Sequence, residues 1–152
     1  MKYRSDFVTN SSSSSFIVAF KNKEDMKEQF KKMAEKYPMY SHIVFQDIAD
    51  NRKTYTEMLN YLKERLGWEA RYYIRFEMPE YREKAFDRNW LDSDEYKKVH
   101  KEYIEKELNK FKDNVNHRGI FAKVTYSDHT DSELEHYIMP NMPFVVKVIS
   151  NH

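Results

Sequence analysis

The chain contains no cysteine and only two glycines. Without cysteine there is no thiol nucleophile, no iron–sulfur cluster, no thiolate zinc site and no disulfide. Gly67 and Gly119 stand 52 residues apart, whereas the dinucleotide fingerprint and the phosphate-cradling P-loop each need glycines within a few residues of one another. No apolar run approaches the roughly 18 residues of a membrane span. Where a secretory leader would carry its apolar stretch the chain has Ser11 to Ser15, so the sequence reads as cytoplasmic, with no membrane partner. An excess of one charge is missing too. With 26 Lys and Arg against 25 Asp and Glu, the net charge is +1, and no global field draws the chain to nucleic acid or anionic lipid.

What is present suits one domain over residues 1–152, with residues 1–13 as a polar segment that reads as flexible. Leu, Ile, Val and Phe are sparse, but 12 Tyr, 8 Met and 2 Trp enlarge the set from which a core can be built. Charged residues make up 34%, against about 25% in average domains, which points to well-solvated helices.

Along the chain, Phe16 to Phe20 is a short apolar run of β-formers and predicts a strand buried on both faces, which the last serines of the run Ser11–Ser15 enter. Asn22 can cap a helix over Lys23–Lys36, with Met26, Phe30, Met33 and Tyr37 on one stripe and Pro38 as its stop. Ile43-Val44-Phe45 predicts a second strand. Thr54 and Glu57 have capping-box spacing before the stripe Tyr55, Met58, Leu59, Leu62, Leu66, and Gly67 is positioned to end that helix. Trp68 to Met78 alternates cleanly, which predicts a half-buried strand with Trp68, Ala70, Tyr72, Ile74, Phe76 and Met78 inward and Glu69, Arg71, Tyr73, Arg75 and Glu77 outward.

A short helix is expected at Glu80–Asp87. The longest should follow the cap at Asp92-Ser93-Asp94-Glu95, with Tyr96, Val99, Tyr103, Leu108, Phe111 and Val115 facing in and His100 at the stripe's edge. Ile120–Tyr126 alternates as a strand, Asp131–Tyr137 suits a turn or two of helix, and Phe144–Ile149 closes the chain as a strand. The expected fold class is α+β: a single mixed or antiparallel sheet of about five strands, with helices mainly on one face.

Two groups of residues could carry chemistry. Asp128, His129, Asp131, Glu133, Glu135 and His136 fall within nine residues, and His152 ends the chain. Imidazoles and carboxylates suit a divalent metal or general acid–base work, with His129, Glu135, His136 and His152 as the candidate ligands and no other cofactor expected. If the last two strands are neighbours, His152 returns towards His136. The spacing matches no established ligand motif, and a capped surface turn is the plainer reading. The second group is Arg71, Tyr73 and Arg75, which on an exposed strand face would set cations beside an aromatic ring, as surfaces that stack nucleotides do. Glu69 and Glu77 on the same face argue against phosphate and for local ion pairs.

The opening Asp6-Phe7-Val8-Thr9-Asn10-Ser11-Ser12-Ser13-Ser14-Ser15-Phe16-Ile17-Val18 resembles the signature of a group of small bacterial and bacteriophage proteins that begin with FV(T/S)NSSSSSF. The ending is similar as well: Glu135-His136 precedes Ile149-Ser150-Asn151-His152, where members of the group close on Ser-His-His or Ser-Asn-His. The resemblance implies a bacterial or phage accessory protein, raises interest in His152, and transfers no catalytic residue.

Three functions follow. The first is a non-enzymatic protein-interaction module, phage- or mobile-element-encoded, acting on a host protein such as a defence component or on a second copy of itself. It rests on the missing cofactor loops and nucleophile motifs and on an aromatic content of 16%. The second is a small metal-dependent or acid–base hydrolase using residues 128–136 and His152. The third is a nucleic-acid binder using Arg71, Tyr73 and Arg75.

Overall fold

A computed structural model describes residues 13–150. Residues 6–12 of the N-terminal signature, nearly all of the polar segment 1–13, and His152 lie outside the described residues. The fold is α+β with a single sheet. Its backbone forms two compact units, one from the chain up to Tyr55 together with Val115 onward, the other from Thr56–Asn114.

The first unit holds the sheet. Strand β1 (Ser13–Phe20) leads into helix α1 (Lys23–Lys36), helix α2 (Pro38–Asp50) and the two-residue strand β2 (Arg52–Lys53); strands β3 (Ile120–Ser127) and β4 (Val145–Ser150) return from the second half of the chain. Every pairing is antiparallel and the order is β2-β3-β1-β4. β1 is therefore an inner strand, as its unbroken apolar run predicts. Phe16 and Ile17, which point to opposite faces, are both fully buried. Phe16, Val18 and Phe20 pack with Ile120, Ala122 and Val124 of β3 against Phe30 and Met33 of α1 and Val44 and Ile48 of α2. The Asn22 side chain accepts the Asp25 N–H at 2.8 Å and fixes the start of α1.

The sheet has four strands, not about five, because two predicted strands are helical and β2 is added. Ile43-Val44-Phe45 lies inside α2. Pro38 stops α1 and also occupies the first position of α2, where its missing N–H costs nothing. Only Val44 of that triplet is buried, one helical turn from Ile48 and Ser41. The premise that the last two strands are neighbours also fails, since β1 runs between β3 and β4.

The second unit is helical. α3 (Tyr55–Glu77) starts next to Thr54 as the capping box requires, but runs straight through Gly67, whose φ is not positive. Its buried residues are Met58, Leu62, Leu66, Ala70 and Ile74, a stripe at spacings of four. The predicted strand Trp68–Met78 is thus the last half of a helix. Two short 3-10 turns, Pro79–Tyr81 and Lys84–Phe86, replace the expected helix at Glu80–Asp87, and a four-residue helix α4 (Arg88–Leu91) precedes α5 (Asp94–Asp113). Ser93 caps α5 through the Tyr96 N–H. A local core joins Ile74, Ala85 and Trp90 to Met78, Tyr81, Leu91, Tyr96 and Val99.

Candidate functional site

Six clustered residues of the 128–136 segment separate into different roles at the end of the sheet. After β3, the Ser127 carbonyl accepts the Asp131 N–H at 2.7 Å and closes a turn, and the Asp131 carbonyl accepts the Glu135 N–H at 2.9 Å. Asp131 is also held by Thr130, whose hydroxyl donates to its carboxylate at 3.0 Å. The Tyr40 phenol is held above its ordinary value by burial, by its hydrogen bond with Glu133 and by the charges of Glu133 and Asp131, so Glu133 faces Tyr40. His129 is exposed and stands outside the group that converges.

That group is Asp128, Glu135 and His136, whose donor atoms all lie within 4.8 Å of one another. Glu135 and His136 sit on a five-residue π-helical turn, Leu134–Ile138, where the expected short helix is wound more widely. Leu134 and Ile138 anchor the turn in the sheet unit's core. Glu135 is 3% exposed. The Ser14 hydroxyl of β1 donates to its Oε2 at 3.0 Å, and His136 Nε2 lies 3.1 Å from its Oε1. A buried carboxylate without such partners would be costly. Ser14 also faces Ser150 of β4 in the sheet register, so β1 connects this cluster to the strand that precedes His152. Nothing in the local sequence marks Ser14 as a partner of a residue 121 positions away.

The helical unit reassigns the second group. On α3, Arg71 and Arg75 are one turn apart and share a face with Trp68, Tyr72 and Phe76, whereas Tyr73 lies about 200° round the helix from Arg71. Tyr73 stacks on Tyr103 with ring centroids 5.0 Å apart. Burial, aided by Glu69, Glu107 and Tyr73, pushes the Tyr103 phenol up to about 12. Glu69 thus belongs with Tyr73 and Tyr103, and one of the two carboxylates that flanked the arginines in the strand reading is moved off their face.

What the arginines do face is aromatic. The Arg71 guanidinium lies 5.3 Å from the Trp68 ring centroid and that of Arg75 lies 4.8 Å from the Phe86 ring. Tyr72 and Phe76 rings approach to 4.7 Å. Trp68 and Tyr72 are each 63% exposed, and Phe76 and Phe86 are exposed beside them. Among the described residues neither Arg71 nor Arg75 is in an ion pair. Trp68, Arg71, Tyr72, Arg75 and Phe76, together with Asp92 and Tyr96, border a groove of about 560 Å³, with Ile74, Ala85 and Leu91 contributing apolar wall.

No family model, curated protein or solved structure matches this chain. No helix among the described residues is long and apolar enough to cross a membrane.

Proposed function

We propose that the chain is a non-enzymatic protein-interaction module whose binding face is the Trp68, Arg71, Tyr72, Arg75, Phe76 and Phe86 surface of the helical unit. The exposure of this aromatic set carries the reading. Large aromatics spaced along a solvated helix face leave half or more of their surface uncovered within their own unit, and Trp, Tyr and Arg are the residues that dominate binding energy when a partner covers them. The partner is a protein segment with carboxylates beside apolar side chains, because the face offers two guanidiniums that are in no ion pair among the described residues and a groove with apolar walls. A second copy docking by two-fold symmetry would bring this face against itself, which sets arginine towards arginine. Nucleic acid is less well served, since two cations supply little of the phosphate neutralisation that such binding needs. The resemblance of residues 6–18 to the phage and bacterial signature group supports a cytoplasmic accessory role on a host protein, a defence component included.

The test is selection of a random peptide library on the full chain, with a Trp68→Ala, Tyr72→Ala variant as counter-selection. Enriched peptides should combine Asp or Glu with apolar residues and lose at least tenfold in affinity for Arg71→Gln. Peptides that bind the double variant equally well would sink the assignment. Anisotropy with single-stranded oligonucleotides gives the competing outcome: tight binding abolished by Arg71→Gln would replace the protein partner by nucleic acid.

A further inference from the structure

We propose that Asp128, Glu135 and His136 form a site for one divalent transition-metal ion at the end of the sheet. The inference is independent of the aromatic face, since all three residues belong to the sheet unit.

Neighbouring donors of a tetrahedral or octahedral ion bound at about 2.1 Å lie about 3.0–3.4 Å apart. His136 Nε2 and Glu135 Oε1 are separated by 3.1 Å, so two ligands already have the spacing an ion requires. Asp128 supplies the third donor within 4.8 Å of both. Its side chain is on the exposed loop after β3, where a rotamer change closes the remaining distance. A second carboxylate this close to one that is buried is repelled by it unless a cation lies between them. Two carboxylates balance a dication, and the neutral imidazole adds a nitrogen donor.

The remaining geometry fits a ligating carboxylate. The Ser14 hydroxyl occupies Glu135 Oε2 from a different strand, which fixes the carboxylate plane and leaves Oε1 turned towards His136. Hydrogen bonds of this outer kind orient the ligands of metal sites. The donor set, one imidazole and two carboxylates, favours zinc or manganese over calcium, which takes oxygen donors. An ion held by Nε2 and Oε1 takes the place of the hydrogen bond between them, and the neutral imidazole then carries its single ring proton on Nδ1.

The experiment is calorimetric titration of tag-free full-length protein with zinc chloride and, separately, manganese chloride, alongside Asp128→Asn and His136→Ala. Both substitutions are at exposed positions, and circular dichroism verifies that each variant is folded. One equivalent of zinc or manganese should bind with a dissociation constant of about micromolar or tighter, weakened at least tenfold in each variant, about 1.4 kcal/mol. Unchanged binding in His129→Ala supports the three-residue set. Failure of both metals to bind the wild type, full binding in either Asp128→Asn or His136→Ala, or loss in His129→Ala with retention in Asp128→Asn would each overturn the proposal.

Discussion

In strands β1 and β3 of the sheet unit, large apolar side chains and burial coincide; in the second half of α3 they part company. Phe16, Ile17, Val18 and Phe20 of β1 and Ile120, Phe121, Val124 and Tyr126 of β3 are all buried, so apolar character there reports the core directly. Along α3, Ala70 and Ile74 are buried, while Trp68, Tyr72 and Phe76 are exposed. Two stripes, each at spacing four and offset by two residues, add up to the alternation of a strand. Hydrophobic periodicity identifies an element only where apolar residues are the buried ones. A surface helix with exposed aromatics violates that condition, and the violation is the observation on which the proposed interaction face rests.

The largest effects should come from the sheet unit. Phe16→Ala is expected to lower unfolding free energy by about 3–5 kcal/mol, since Phe16 is fully enclosed between β3, β4 and the helices of its core. Urea denaturation measures it, and a loss below about 1 kcal/mol would remove β1 from the centre of the comparison.

A pair of variants tests the helical reading of residues 68–78. Ile74→Ala should cost about 2–5 kcal/mol, whereas Tyr72→Ala, on the solvated side of α3, should stay within about 0.5 kcal/mol of wild type. Both residues face inward on a strand, so equal costs in chemical denaturation would restore the strand.

The two glycines sharpen the contrast further. A Cβ on Gly119 would meet the Phe20 carbonyl oxygen at 2.2 Å, and Gly119→Ala should destabilise by about 1–3 kcal/mol or more as the backbone is forced aside. A Cβ on Gly67 meets nothing nearer than the His100 ring at 4.0 Å. Gly67→Ala, in mid-helix, should therefore stabilise by about 0.5–1 kcal/mol. Thermal melts of the two variants should shift in opposite directions; a destabilised Gly67→Ala would contradict a continuous α3.

The smallest expected effect concerns alkaline pH. Native Tyr103, pushed up to about 12 chiefly by burial and then by Glu69, keeps its proton where an unfolded tyrosine, near 10, loses it. Its contribution to stability is complete below about pH 10 and disappears as pH rises towards about 12. Tyr126 in the sheet unit is pushed up too, by deeper burial and by the Asp47 carboxylate that accepts its hydroxyl at 2.7 Å. In an absorbance titration of tyrosinate, Tyr103→Phe should remove a transition that ends before Tyr126 ionises. Loss of the same late-titrating component in Tyr103→Phe and Tyr126→Phe would erase the difference between the units.

The sequence by itself determined the elements whose signals are local. An unbroken apolar run forces β1 inside; the Asn22 cap and Pro38 bound α1; Ser93 starts α5; alternation from Ile120 marks β3. These depend on hydrogen bonds and side-chain directions within a few residues. Tertiary structure decided the rest. Whether Trp68, Tyr72 and Phe76 face core or water depends on what covers them, which no spacing records. That β1 separates β3 from β4 is a matter of sheet order, so the expected adjacency of the last strands fails. The meeting of Ser14 with Glu135 across 121 positions follows from strand register. The sequence places Asp128, Glu135 and His136 in one short segment, but only the turn after β3 and the buried π-helical turn separate them from His129, Asp131 and Glu133, because convergence of side chains is a property of the folded backbone and not of proximity along the chain.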